Sequence, residues 1–225
     1  MRHELVDGDD RAGRISGSID ATASAWPGLS IADTAAPLLD WKTSSASLAI
    51  WRRELPPDID EALAKLPVDE MTDWRLDLNV EAMSPAIVKA LSDCGIEDDN
   101  LRGYLAADMT LLTRVFARGT GKRKLEARLD IVRNDACRRF HKDNYPERLA
   151  VTYLGSGTVA VPRCHGQKAL AEQEKYAGPA IKVPPFWASL FAGEKAGREG
   201  IVHRSPRISG TGKTRLFFCV NASPN

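Results

Sequence analysis

The chain contains no apolar run approaching the roughly 18 residues that a membrane-spanning helix requires, so no span is expected. The first residues include Arg2 and His3 but lack the apolar core of a secretory leader, and a cytoplasmic protein is the expectation. Cysteine is scarce and scattered: Cys94, Cys137, Cys164 and Cys219 form no Cys-x-x-Cys pair. That argues against a disulfide framework and for reduced thiols. Charge of one sign is missing too. Lysine plus arginine number 31 against 30 acids, a net charge of +1, so no bulk field recruits nucleic acid or an anionic membrane. Histidine occurs only 4 times, and three of the four (141, 165 and 203) fall within one stretch of the C-terminal half.

What is present is an ordinary globular composition, 43% hydrophobic and 27% charged, in 225 residues that can bury a substantial core. Residues 1–36 are rich in Gly, Ser, Asp, Ala and Thr without apolar periodicity, which predicts a flexible tail. A single α+β domain is expected over 37–225. Strands are predicted over 47–55 and 74–80, with a helix over 59–66 opened by Pro56-Pro57-Asp58. Ser84-Pro85 reads as the start of a second helix ending at Gly95. Asp99-Asn100 opens a long amphipathic helix that stops at Gly119-Thr-Gly121.

From about residue 124 the period changes to two. Leu125, Ala127, Leu129 and Ile131 alternate with charged residues, and further strands are expected over 148–154, 158–161, 181–183, 186–191, 201–203 and 215–220. A short polar helix over 167–176 interrupts them. Short strands between Gly and Pro signals suggest a sandwich or barrel. The expected architecture is therefore an N-terminal helical layer followed by a jelly-roll-like β half.

The most chemically pointed stretch is Cys137-Arg-Arg-Phe-His-Lys-Asp-Asn-Tyr-Pro146, read as a strand leading to a turn. In a strand His141 and Asp143 project from the same face, presenting an imidazole and a carboxylate to one space. His203, 62 residues later, supplies a second imidazole. Two histidines and one carboxylate make the facial triad of non-haem Fe(II) oxygenases, which leaves positions open for substrate and oxygen. A rival set adds Cys137, Cys164 and His165, because thiolates with imidazoles favour Zn²⁺. Arg148 and Arg215 each open a strand near this centre, and an inward Arg can clamp a carboxylate bidentately.

Two other signals are rejected. Gly210-Thr-Gly-Lys-Thr214 lacks the upstream glycine of a phosphate loop and has no helix after it, so it reads as a hairpin turn. Ser205 near His203 has no strand–elbow–helix pattern around it and predicts no nucleophile.

The blocks Leu48-Ala-Ile-Trp-Arg-Arg53, Asp135-Ala-Cys-Arg-Arg-Phe-His-Lys-Asp-Asn144, Arg148-Leu-Ala-Val-Thr-Tyr-Leu-Gly-Ser-Gly-Thr158 and Val202-His-Arg-Ser-Pro206 resemble a bacterial family of unknown function, number 1826. That resemblance implies no set activity, though it implies an association with zinc homeostasis. The order His-x-Asp, strand, Gly-x-Gly-Thr, distal His and later Arg is similar to the prolyl-hydroxylase-type Fe(II)/2-oxoglutarate oxygenases. It implies a double-stranded β-helix in which His141, Asp143 and His203 bind iron and Arg215 holds the 2-oxoglutarate carboxylate. The expectation is thus a metal-binding protein, read as a 2-oxoglutarate-dependent dioxygenase acting on a small molecule or protein. The alternative is a non-enzymatic zinc-binding protein of metal homeostasis.

Overall fold

This computed structural model describes residues 26–223. Its first elements are β1 (Leu29–Ala32), α1 (Ala36–Leu39), β2 (Leu48–Trp51), α2 (Pro57–Ala64), β3 (Trp74–Asn79), α3 (Val80–Asp93) and α4 (Asp99–Thr120). They are followed by β4 (Lys124–Val132), β5 (Glu147–Leu154), β6 (Val159–Val161), α5 (Arg163–Glu172) and a 3-10 turn (Gln173–Lys175). The chain ends in β7 (Ile181–Lys182), β8 (Ala188–Ala192), β9 (Val202–Arg204) and β10 (Arg215–Ala222). A seven-stranded sheet has the order β1-β2-β8-β5-β10-β4-β3, and a three-stranded sheet the order β7-β6-β9. Every pairing is antiparallel except β1 with β2. Among the described residues no helix is long and apolar enough to cross a membrane.

Period-two patterning divides the large sheet into two unlike faces. Leu125, Ala127 and Leu129 of β4, Leu149, Val151 and Tyr153 of β5, and Leu216, Phe218 and Val220 of β10 join one core with the helices. The alternate positions look the other way. There Leu48, Ile50, Ala150, Phe191 and Cys219 pack with Ala160, Ile181 and Val183 of the small-sheet side. Register aligns the polar residues of that second face in rows: Arg148 lies opposite Asn221, which lies opposite Glu126. The next row runs Ala150, Cys219, Arg128.

The helix α4 forms where its caps and stripe require. The Asp98 carboxylate accepts from the Leu101 amide at 3.0 Å, and Gly121 closes the helix in the left-handed region at φ 69°. Leu101, Leu105, Met109, Leu112 and Phe116 carry the buried stripe. At Gly119 a Cβ would come within 2.0 Å of the Leu38 carbonyl oxygen, so only glycine allows α1 to cross there.

Several expectations change. Of the predicted tail, residues 1–25 lie outside the described residues, while 26–36 are built into the fold. Trp26 is buried and β1 pairs in register with β2, Leu29 facing Leu48, contacts that no local periodicity announces. Nor do the helices form a separate N-terminal layer in sequence, because β1, β2 and β3 alternate with them and enter the large sheet. The second helix starts at Val80, not Ser84, leaving Pro85 inside it. Met83 extends the buried stripe of Ile87 and Leu91 upstream, which offsets the hydrogen bond that Pro85 cannot donate. The polar helix begins at Arg163, directly after Pro162, rather than at 167. The His141–Asp143 stretch is not a strand: His141 makes a single isolated bridge to His203, and no apolar alternation sustains pairing beyond it. Gly210–Thr214 is a turn leading into β10, as expected.

Candidate metal centre

Backbone pairing creates the site. The His141 and His203 amides each donate to the other's carbonyl at 3.0 Å, docking the loop after β4 onto β9. The two imidazoles then lie with ring centroids 4.6 Å apart, and Asp143 reaches back between them. The Nε2 atoms of His141 and His203 stand 3.9 and 3.5 Å from the two Asp143 carboxylate oxygens. One ligand atom from each residue lies within 4.8 Å of the others, a spread that one ion with bonds near 2 Å can bridge.

Tautomers follow from the neighbours. His141 Nδ1 lies 2.8 Å from the Arg139 carbonyl, and His203 Nδ1 lies 3.2 Å from that of Ile201. A carbonyl only accepts, so both Nδ1 atoms carry a proton and both Nε2 atoms face Asp143. Burial pushes the His203 pKa down to about 4, more than the opposing pull of Asp143 raises it, so this ring is neutral at ordinary pH. The short approach of His203 to Asp143 is therefore not a charged pair. Asp143 Oδ2 is buried without a hydrogen-bond partner among the described residues. Two ring nitrogens and a carboxylate turned towards one another suit a cation placed among them. The donor set fits a divalent metal.

Arg148, expected to act on a bound molecule, is committed to the protein itself. Its Nη1 donates to Asp143 Oδ1 at 2.7 Å and its Nε to Asn221 Oδ1 at 2.8 Å. Asn221 in turn donates to Glu126 Oε1 at 3.0 Å. The guanidinium does clamp a carboxylate, and that carboxylate is Asp143. Neither Asn221 nor Glu126 was singled out from the sequence. The available signal was an asparagine in a strand two residues beyond Cys219 on the face of Arg215, where such a residue is unfavourable without a partner.

Arg215 lies beside the centre in a small cavity of about 80 Å³, lined also by Arg128, Cys137, His141, His203 and Ser205. It is 1% exposed, donating to Ser156 O, Ser205 Oγ and Thr152 Oγ1. Among the described residues no carboxylate forms an ion pair with it, and burial pulls its pKa down to about 10. A buried cation with neutral partners and free edges is suited to an incoming carboxylate.

The rival zinc set is corrected. Cys164 and His165 stand in the first turn of α5 and do not line the cavity, because the helix starts at Arg163 and packs Gly166 and Ala169 inward. Cys137 lines the cavity with φ 57° but is not part of the three-residue ligand group. A wider cleft of about 730 Å³, lined by Trp51, Arg53, Tyr104 and Asp108, lies elsewhere. Its central charges neutralise each other, with Arg53 Nη1 2.5 Å from Asp108 Oδ1 and Tyr153 donating to Oδ2 at 2.6 Å.

A chain of mixed helix and large sheet with a His-Asp-His group, two of its three residues buried, is the class that these features define. The chain belongs to the family described as protein of unknown function (DUF1826), whose model matches residues 32–221. No curated protein matches it. Among solved structures it is similar to dioxygenase for auxin oxidation 1 from Arabidopsis thaliana, bound to 2-oxoglutarate, at TM-score 0.45 and 9% identity over 88% of this chain and 92% of that one. A Pseudomonas putida prolyl-4-hydroxylase is similar at TM-score 0.43 and 15% identity, over 85% and 94% of the two chains. A full-length Neurospora crassa protein in complex with alpha-KG follows at TM-score 0.40 and 13% identity, over 86% and 78%.

Proposed function

We propose that this chain is a non-haem Fe(II)/2-oxoglutarate-dependent oxygenase with a double-stranded β-helix, jelly-roll-like site half. The observation that carries the reading is the convergence of the His141 and His203 Nε2 atoms on the Asp143 carboxylate, whose buried Oδ2 has no hydrogen-bond partner among the described residues. His141, Asp143 and His203 would hold the metal on one face, and Arg215 would hold a carboxylate of 2-oxoglutarate. When bound, the metal would supply the redox chemistry that couples 2-oxoglutarate and dioxygen to oxidation of a substrate. The chain's own residues do the rest. Arg148 fixes Asp143, the carbonyls of Arg139 and Ile201 orient the imidazoles, and Phe191 packs 5.0 Å from the His203 ring.

Metal analysis of the purified chain tests the reading. About one equivalent of a divalent metal is expected, with Asp143→Ala and His141→Ala each reducing affinity by on the order of a hundredfold or more. Full metal content in either variant overturns the site. Succinate formed from 2-oxoglutarate by the Fe(II)-loaded protein, and lost in Arg215→Gln, tests the oxygenase half separately.

A further inference from the structure

The polar face holds a third guanidinium that the metal reading does not use. Arg128 lines the same cavity as His141, Arg148 and Arg215. Its Nε lies 3.1 Å from Cys219 Sγ and 3.2 Å from Asp130 Oδ2. Among the described residues its one side-chain hydrogen bond runs through that nitrogen, which is also its nearest approach to Asp130. The side chain is thus fixed at its root, while neither terminal amino group donates a hydrogen bond among the described residues.

Its position separates it from both neighbours. Arg128 lies two strands and one row from Arg148, about 12 Å between Cα atoms by sheet spacing. Arg215 faces Val132, four residues along β4 from Arg128, or about 13 Å. Arg128 and Arg215 are thus rooted at separate places along the cavity. Cover also ends here: the core beneath the small sheet takes residues from β2, β8, β5 and β10 but none from β4 or β3. On the adjacent strand Arg75 is 58% exposed, so the row of Arg128 opens to solvent. The segments that supply the cavity rim are basic as well. Residues 133–142 and 204–213 carry seven Lys or Arg and one acid, in a chain whose net charge is only +1.

Resting on the oxygenase reading, we propose that Arg128 is the substrate's anchor and that the substrate is a small molecule bearing a carboxylate. The terminal amino groups of Arg128 would take the two oxygens in a fork, orienting the rest of the molecule along the floor towards His141 and Asp143. The basic rim would raise the local concentration of such an anion.

Trifluoroacetate serves as the probe, with trifluoroethanol as its neutral counterpart, titrated into the full chain and followed by fluorine NMR at fixed ionic strength. The expected result is that the anion binds and the alcohol does not, and that Arg128→Gln weakens the anion tenfold or more while Arg128→Lys weakens it less. The same difference between Arg128 and Arg128→Gln must persist in an Arg215→Gln background, or in Arg215→Lys if the former does not fold. Binding unchanged within twofold in a folded Arg128→Gln protein overturns the proposal, as does equal binding of the alcohol. Because the titration is done on metal-free protein, its outcome is independent of metal uptake and succinate formation, which decide the oxygenase reading.

Discussion

The two faces of the seven-stranded sheet are made by the same strands and have opposite characters. Towards the helices, β4, β5 and β10 present Leu, Val, Ala and Phe, whose contacts need only shape and dryness. Towards the site they present Glu126, Arg128, Arg148, Asn221 and Arg215, where each polar group must find a partner or a ligand. The first face accounts for stability and the second for chemistry. The polar network is hydrogen-bonded from Glu126 through Asn221 and Arg148 to Asp143 Oδ1, while Asp143 Oδ2 has no partner among the described residues.

The sharpest break in that comparison comes from the helix face. Phe218 is fully buried, with its ring 6.0 Å from that of Trp74. Phe218→Ala should cost about 3–5 kcal/mol in denaturant unfolding. Metal content per folded molecule should stay unchanged, and a parallel loss of metal would show that the faces are not separable. A smaller effect is expected from pH on the other face. Burial lowers the His203 pKa from 6.5 to about 4, so between those values the unfolded chain binds more protons than the folded one. Its contribution to metal-free stability is then complete above about pH 6.5 and is lost as pH falls towards about 4, amounting to about 3 kcal/mol. Unfolding curves across that range, compared with His203→Gln, should show the slope disappear in the variant. The mildest effect is on positioning. Asn221→Ala removes the acceptor of Arg148 Nε and should weaken metal binding about tenfold without removing any ligand. Titration with a divalent metal checks this, and an affinity equal to the parent's would make Asn221 a packing residue only.

Legibility differed between the faces for the same reason. The helix face was readable because burial repeats every second residue along β4, and every three or four along α4, within short windows of sequence. His141, Asp143, His203 and Arg215 were readable as residue types suited to a site. Their surroundings were not: Arg148 looked like a ligand clamp and proved to hold Asp143, through contacts with Asn221, 73 residues away. Pro85 pointed to a helix start that the burial of Met83 overrode. Trp26 and β1 gave no local period at all, since their order comes from pairing with β2.

By itself the sequence determined the main helices and most strands of the two-faced sheet, and which few residue types suit a metal site. Those choices depend on backbone periods and side-chain donors over a handful of neighbouring positions. Only the tertiary structure decided which of those residues meet. It brought His203 to His141 through one backbone bridge and set Cys164 and His165 apart on a helix. It also placed Arg128 in the cavity beside the centre. Such convergence follows from strand order and register across long stretches of chain, which no local pattern encodes.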